Sequence, residues 1–255
     1  MIAMEIGALQ HIPMIKAGDC LADIIIRAAH RSGYLPRPGD VLLVAQKVVS
    51  KAEGRLRLLA DVEVTAAATA LASEVDKDPR LVQLILDESR SIIRVRPGVI
   101  IAEHKRGHIL ANAGIDASNI EQRAGGEQVL LWPEDPDASA EQLSIALEAH
   151  YGFEFPIVIN DSMGRAWRLG TVGHAIGCYG IDPLWNQVGE CDLMGNVLKV
   201  TEPATADALA AAAALLQGEA DEGQPIVYVR DCPIKTTDPR PATALLREVA
   251  RDMFR

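Results

Sequence analysis

The sequence predicts a mixed α/β (α+β) fold in which helices and strands alternate irregularly. Short apolar runs such as Val41–Ala45 have the length and composition of buried strands. Longer Ala- and Leu-rich segments such as 204–216 predict helices. Several predicted strands follow one another directly, which argues against a doubly wound sheet. No repeat, low-complexity tract or linker divides the 255 residues, so a single domain over residues 1–255 is expected.

The first half of the chain carries recognisable helix boundaries. Asp19 is the predicted N-cap of the first helix, and Gly33 is its predicted C-terminal cap. The predicted elements are a strand within 4–16, a helix over 20–32, the strand 41–45, a loop closed by Gly54, helices over 62–75 and 79–90, and strands over 92–95, 99–103 and 107–111.

The second half continues the irregular pattern. Ser139 followed by Gln142 predicts a capping box at the start of a helix. The predicted elements are that helix to about residue 150, strands over 155–159 and 197–200, a helix over 204–216, a strand over 225–230 and a final helix over 242–254.

Composition excludes some classes of function. The net charge of −10 and the aromatic content of 4% argue against a nucleic-acid-binding surface. The four cysteines are scattered without a C-x-x-C pair, which favours free thiols in a reducing compartment. No signal peptide and no run of about 18 apolar residues is present, so we expect a cytoplasmic protein that does not bind membranes.

The stretch 159–180 holds the densest set of polar groups. Asp161 and Ser162 follow an apolar run, Arg165 and Arg168 come next, and five glycines are interspersed. Carboxylate, hydroxyl and guanidinium groups beside exposed backbone amides suit a metal-bound phosphate ester. The alternative is a glycine-rich surface loop whose charges are only solvated.

Common nucleotide and hydrolase motifs are missing. The chain has neither G-x-x-x-x-G-K-[ST] nor a G-x-G-x-x-G after a strand, so neither a P-loop nor a Rossmann fold is predicted. It also lacks G-x-S-x-G and H-E-x-x-H.

Three acidic residues follow predicted buried segments, namely Asp116, Asp161 and Glu219. If they converge, two carboxylates ~4 Å apart repel by about 4 kcal/mol, and a divalent cation removes that cost. Oxygen ligands, including the Ser162 hydroxyl, favour Mg²⁺ or Mn²⁺ over zinc. The alternative is that at least one acid is a surface residue or forms a turn.

A set of basic residues lies near predicted strand ends and could bind phosphate: Lys16, Lys47, Lys51, Arg165 and Arg168. Taken singly, each of them is better explained as a solvated lysine or arginine. His174 is a candidate base or phosphate donor, with a core histidine as the alternative. Trp132 is expected in the core, and the roles of Trp167 and Trp185 stay open.

Four blocks along the chain carry a resemblance to a known family. They are KVVSKAEGR (47–55), NAGIDASNIE (112–121), DSMGRAWRLGTVGHAIG (161–177) and DLMG (192–195). Their order and spacing, from about residue 5 to 230, resemble the coenzyme F420-0:L-glutamate ligases.

The resemblance implies a GTP- and divalent-metal-dependent ligase with an unusual mixed α/β fold and an intertwined homodimer. Such an enzyme joins L-glutamate to coenzyme F420-0, a lactyl-phospho-deazaflavin, and extends it by γ-glutamyl linkage. The expected route is an acyl phosphate formed with the γ-phosphoryl group of GTP. A paralogous amide ligase acting on a different phospho-acid and a non-catalytic GTP-binding protein are the alternatives.

The resemblance also implies site residues. The metal positions are Asp116, Asp161, Ser162 and Glu219, with Mg²⁺ or Mn²⁺ as the ion and K⁺ left open as a second one. For the expected mechanism, Arg165, Arg168 and Lys51 are the candidates for stabilising transition-state charge. The implied GTP-binding residues are Pro13, Met14, Ile15, Lys16, Gln46, Lys47, Lys51, Asn119, Gln217, Gly218, Glu219, Ala220, Asp221, Glu222, Gly223 and Gln224.

The chain departs from the family pattern at several positions. Ser162 stands where relatives have Thr, which keeps a hydroxyl ligand. The 217–224 loop carries extra charge at Asp221 and Glu222, which leaves the preference for GTP over other nucleotides open. No nitroreductase-like C-terminal domain is expected.

Overall fold

The computed structural model describes residues 3–120, 126–234 and 238–254. Its strands are β1 (Glu5–Ala8), β2 (Val41–Ala45), β3 (Leu56–Leu58), β4 (Ser89–Arg96), β5 (Val99–His104), β6 (Ile109–Ala111), β7 (Gln128–Leu130), β8 (Ile157–Arg165), β9 (Arg168–Tyr179) and β10 (Ile226–Arg230). Its α-helices are α1 (Leu21–Ser32), α2 (Gln46–Ala52), α3 (Ala66–Val75), α4 (Pro79–Asp87), α5 (Pro136–Tyr151) and α6 (Thr205–Gln217).

A five-stranded sheet forms the centre of the protein, with the order β1-β10-β2-β8-β9. The β2–β8 pair is parallel, and the other three pairs are antiparallel. Helices cover this sheet, so the mixed α/β prediction is confirmed.

Alternating side chains of the central strands divide the core into two layers. Leu42 and Val44 face a cluster that contains apolar residues of α1, α2 and α5. Val41 and Leu43 face the other way, toward α6. Because successive side chains of a strand point to opposite faces, a continuous apolar run predicts a strand covered on both sides.

A second group of elements packs beside this sheet. Strands β4, β5 and β6 form an antiparallel sheet, and β3 pairs with β7. Helices α3 and α4 pack on them through a third cluster that includes Val75, Val82, Ile85 and Ile100. None of the helices in the described residues has the length and apolar character needed to span a bilayer.

The glycine-rich stretch 159–180 is a β-hairpin, so the predicted loop after residue 159 is wrong. Strands β8 and β9 pair through Asp161 with His174 and Ser162 with Gly173. A Cβ on Gly173 would overlap the backbone of Ala210 in α6, and one on Gly177 would overlap the backbone of Pro136 in α5. These glycines therefore allow the helices to approach the sheet closely. The sequence analysis interpreted the same glycines as those of a ligand-binding loop.

Three boundary predictions are corrected as well, and one is confirmed. The segment after β2 is helix α2, so Gln46, Lys47 and Lys51 lie on a helix and not in a loop. Cys20 is the N-cap of α1, because the Asp19 carboxylate accepts from the Lys16 backbone N–H instead. Ser139 lies inside α5, whose N-cap is Asp135. Gly33 does cap α1 in the left-handed conformation, as predicted.

Two predicted elements near the C-terminus are not formed. Residues 242–254 hold two short 3₁₀ turns, at Ala242–Leu245 and Val249–Arg251, and no α-helix. Leu245 packs against the cluster that contains α6, but Val249 and Met253, on the same predicted apolar face, are exposed. In the predicted strand 197–200, only Val197 makes a bridge, to Cys191.

The close approach of α5 to β9 makes a stability prediction. Gly177→Ala should lower the free energy of unfolding by about 1–3 kcal/mol, because backbone must move to admit the methyl group. Gly164→Ala, in the same hairpin, has open space around its Cβ and is the matched control. Chemical denaturation of both variants measures the difference, and equal stabilities would contradict the packing described.

Candidate functional site

A cleft with a volume of about 750 Å³ lies at the carboxyl end of β2. Its walls come from the segment before α1, the start of α2, the middle of β8 and the end of α6 with its following loop. The lining residues are Ile12, Pro13, Met14, Ile15, Ala45, Gln46, Lys47, Val48, Lys51, Asn119, Ile120, Asn160, Asp161, Ser162, Ala214, Gln217, Gly218, Glu219, Ala220, Asp221, Gly223, Gln224 and Pro225.

The cleft brings together most of the residues implied for the nucleotide. All of them line it except Lys16 and Glu222. Three of the four implied metal ligands, Asp161, Ser162 and Glu219, line it too. Asn160 and the apolar lining residues other than Pro13, Met14, Ile15 and Ala220 were not predicted from the sequence. For Asn160, its position directly before Asp161 was the available signal.

The loop after α6 is folded against the cleft by polar contacts. The Gln217 and Asn160 side-chain amides bond to each other in both directions, at 2.7 and 3.1 Å. Glu222 packs over Gly218, which has φ +67°, and accepts from the Ala220 N–H at 2.9 Å. Asn119 Nδ2 donates to the Ala220 carbonyl at 3.0 Å. The loop therefore spans from α6 to the segment that carries Asn119.

Asp161 is held on strand β8 with both carboxylate oxygens bonded. Oδ2 accepts from Trp132 Nε1 at 2.8 Å, and Oδ1 accepts from the Ser162 N–H at 2.9 Å. Burial raises the pKa of Asp161 to about 6, although these two hydrogen bonds favour the ionised form. A bound cation would stabilise the ionised form of this carboxylate, which burial otherwise disfavours.

Glu219 reaches the hairpin from the end of α6. Its Oε2 accepts from Ser162 Oγ at 2.8 Å, and its Oε1 accepts from Thr171 Oγ1 at 3.2 Å. Asp161, Ser162 and Glu219 thus form one oxygen-rich wall of the cleft.

Asp116 lies beside the cleft and is paired with Lys47. Its backbone bonds to Leu130 in both directions, which holds the residue next to β7. Its Oδ2 is 2.7 Å from Lys47 Nζ, and Ser118 donates to both carboxylate oxygens. Burial opposes ionisation, but the bonds from Lys47 and Ser118 outweigh it and lower the pKa of Asp116.

Lys51 adds a second positive charge on the same helix. Its Nζ donates to the Asn119 carbonyl at 2.7 Å. Burial lowers the pKa of Lys51, and the charge of Lys47 lowers it further. Two ammonium groups one helical turn apart have the charge that a polyanion such as a phosphate chain would require of its site.

The donor chemistry of the site fits a hard divalent cation. After burial and the hydrogen bonds from Trp132 and Ser162, the charges of Lys47 and Asp116 also act on the pKa of Asp161, and Lys47 is itself paired with Asp116. The nearby donors are carboxylate and hydroxyl oxygens, as Mg²⁺ and Mn²⁺ prefer. Within the described ranges no three His, Cys, Asp or Glu side chains lie close enough together to hold a metal ion. Oxygen atoms of a bound substrate, such as phosphate oxygens, would therefore have to complete the coordination.

Several predicted residues lie away from the cleft. Arg165 and Arg168 face each other at the tip of the hairpin, where Arg165 Nη1 donates to the Gly170 carbonyl at 3.2 Å. His174 does not line the cleft, and its Nδ1 lies 2.8 Å from the Val172 carbonyl. Trp132 is buried as predicted, whereas Trp167 is exposed. The four cysteines are free thiols, in agreement with the sequence prediction.

These features define a mixed α/β protein with a ligand cleft whose lysines face an acidic wall. The sequence profile described as F420-0:Gamma-glutamyl ligase matches residues 10–231. The chain therefore belongs to the F420-0:gamma-glutamyl ligase family.

Curated relatives named Coenzyme F420:L-glutamate ligase are similar over nearly their whole length. The protein from Methanothermobacter thermautotrophicus is 42% identical over 91% of this chain and 90% of its own. The one from Methanopyrus kandleri is 43% identical over 94% and 93%. A relative from Methanococcus maripaludis is 38% identical over 100% and 98%.

The raised pKa of Asp161 makes a pH prediction for the protein without divalent cations. A folded-state pKa near 6, above the ordinary 3.8, means that the folded state binds the proton more tightly than the unfolded state. The contribution of Asp161 to stability is therefore present below about pH 4 and is lost as the pH rises through about 6.

Asp161→Asn should accordingly gain stability relative to wild type between pH 4 and pH 7, by on the order of 2 kcal/mol. Denaturation curves at a series of pH values in a chelating buffer measure this gain. Asp23→Asn, on the exposed face of α1, is the control. A difference between Asp161→Asn and wild type that stays constant with pH would contradict the burial of this carboxylate.

Proposed function

We propose that this protein is a GTP-dependent ligase that joins L-glutamate to coenzyme F420-0 and extends the product by γ-glutamyl linkage. The observation that carries the proposal is the cleft, in which Lys47 and Lys51 face Asp161 and Glu219. All the residues that line this cleft lie within the region matched by the family profile. The relatives' shared name supplies the two substrates, L-glutamate and F420.

The chemistry of the walls supports a nucleoside triphosphate. Ammonium groups on α2 can bind phosphate oxygens, while the segment Pro13–Ile15 offers a largely apolar surface for a base. Asn119 and the 217–224 loop supply amide and carboxylate groups with which a guanine could be bound.

In the proposed reaction, the terminal carboxylate of F420-0 attacks the γ-phosphorus of GTP and GDP leaves. The glutamate amine then attacks the acyl phosphate, releases phosphate and loses a proton as the amide forms. Asp116, Asp161, Ser162 and Glu219 would hold Mg²⁺ or Mn²⁺, which neutralises charge on the phosphoryl group being transferred. A role for K⁺ stays a prediction.

The residues of the chain have separate tasks in this scheme. Lys47 and Lys51 bind and orient the phosphates, and release of Lys47 from Asp116 would free its charge for that purpose. Glu219, held by Ser162 and Thr171, connects the loop after α6 to the hairpin. Arg165 and Arg168 remain predicted to stabilise charge, although neither of them lines the cleft.

Neutralising the acids tests the reaction. Asp116→Asn and Asp161→Asn should each lower GTP-dependent glutamylation by at least about 100-fold, because each loses a charge at the phosphoryl-transfer centre. Product formation from GTP, L-glutamate and F420-0 is measured by mass spectrometry, which also counts the glutamates added. Asp23→Asn should keep wild-type activity.

The same assay separates the alternatives. Full activity in both variants would contradict the site. Product formed only from another phospho-acid would favour a paralogous amide ligase, and GTP binding without phosphate release would favour a non-catalytic protein. Replacing GTP by ATP tests nucleotide choice directly.

A homodimer is also proposed, as the family resemblance implies. Apolar side chains at the hairpin tip and in the following segment are exposed in the single chain: Trp167, Leu169, Leu193, Met194 and Val200. Exposed apolar patches mark protein interfaces, and the proposed dimer would cover these side chains. Light scattering should give twice the mass of one 27.4 kDa chain, and Leu169→Glu with Leu193→Glu should give monomers. A monomeric wild type would contradict the proposal.

A further inference from the structure

The Trp132 indole lies directly behind the acidic wall of the cleft. It is 1% exposed and does not line the cavity. Its one polar atom, Nε1, donates to Asp161 Oδ2 at 2.8 Å. An indole can donate and cannot accept, so this bond fixes which carboxylate oxygen faces the protein interior.

The indole is itself held in place by its neighbours. The imidazole rings of His104 and His108 lie 4.9 and 5.3 Å from it, centroid to centroid. The Trp132 carbonyl accepts from Arg55 Nε at 2.8 Å, and Arg55 pairs with Glu88 at 3.0 Å. The ring therefore has little freedom to turn away from Asp161.

Gly114 also contacts the indole, close in sequence to the second acidic residue, Asp116. A Cβ on this residue would overlap Nε1 of the indole, so the backbone contacts the ring where Asp161 does. Gly114 has φ +75° and lies two residues before Asp116. The indole thus stands between the strand that carries Asp161 and the segment that leads to Asp116.

We propose that Trp132 is a positioning residue for the cation site. It sets the orientation of Asp161 and the separation of Asp161 from Asp116, and it contacts no substrate. This inference rests on the proposed function, because it makes Trp132 a hydrogen-bond partner of a residue that would bind the metal. Loss of such an outer partner typically weakens metal binding 10–100-fold.

Ordinary core packing does not account for this arrangement. A buried tryptophan needs an acceptor for Nε1, and a neutral backbone carbonyl would satisfy it at lower cost. Here the acceptor is instead the carboxylate of a residue that lines the ligand cleft. A bond to a charged acceptor is stronger and more directional, which suits the placement of a ligand.

The test uses Mn²⁺ affinity, measured by electron paramagnetic resonance with GTP bound and no acid substrate. Trp132→Phe keeps an aromatic ring but removes the donor, and it should weaken Mn²⁺ binding 10–100-fold. Phe155→Leu is the matched control, because it also trims a buried aromatic side chain but lies before β8 and away from the cleft. Denaturation of both variants measures their loss of stability, and the control should keep wild-type Mn²⁺ affinity.

A double variant shows whether Trp132 acts through Asp161. In the Asp161→Asn background, adding Trp132→Phe should change Mn²⁺ affinity less than twofold, since the carboxylate to be oriented is gone. Trp132→Phe that binds Mn²⁺ within twofold of wild type, or that loses as much affinity in both backgrounds, would overturn the proposal. Loss of affinity equal to that of Phe155→Leu would overturn it too.

A measurement on the wild type covers the case in which Trp132→Phe does not fold. In a ¹⁵N-labelled sample, adding Mg²⁺ and GTP should shift the indole N–H signal of Trp132 more than those of Trp167 and Trp185. An unmoved Trp132 signal would overturn the positioning role. Absence of glutamylated product from a wild type that binds Mn²⁺ would instead count against the proposed reaction, so the two failures are distinguishable.

Discussion

The parallel pairing of β2 with β8 is the constraint on which the cleft depends. Leu42 pairs with Ile157 and Ala45 with Asn160, so both strands run toward the same edge of the sheet. At that edge β2 passes directly into α2, which carries the two lysines, and β8 continues into Asp161 and Ser162. Ligand sites in open sheets commonly form where the carboxyl ends of neighbouring parallel strands meet. In this protein a single parallel pair within a mixed sheet is sufficient.

Much of the fold follows from local patterns. The central strands β2 and β10 are continuous apolar runs with sharp ends, and α6 is an almost uninterrupted Ala/Leu segment. Such strands can be predicted from the local sequence alone, because a strand that is buried on both faces requires apolar residues along nearly its whole length. The glycine-rich hairpin is different: Gly173 and Gly177 are required by helices far away in the sequence, and no local signal reveals those neighbours. The helix predicted for residues 242–254 is not formed, because an amphipathic pattern gives a stable helix only where the rest of the protein covers its apolar face.

The residue types and their spacing predicted less of the site than the resemblance to a known family did. A carboxylate after a buried run suggested Asp161, and the lysines after Val41–Ala45 suggested phosphate, but nothing in the spacing joined these groups to Pro13 or Asn119. Their meeting depends on the sheet order and on the path of the loop after α6. The bond from Trp132 to Asp161 and the pairing of Lys47 with Asp116 are tertiary contacts with no sequence signature.

The place of β10 in the sheet also bears on how the protein is made. This strand lies between β1 and β2 and pairs Arg230 with Glu5, so β1 and one edge of β2 lack their hydrogen-bonded neighbour in the sheet until residue 230 has left the ribosome. Such long-range pairing slows folding, because the entropy of closing a long chain must be lost first. A nascent chain would meanwhile expose the apolar edge of β2, the kind of surface that chaperones shield. Synthesis of the last strand thus completes both the sheet and the pocket beside it.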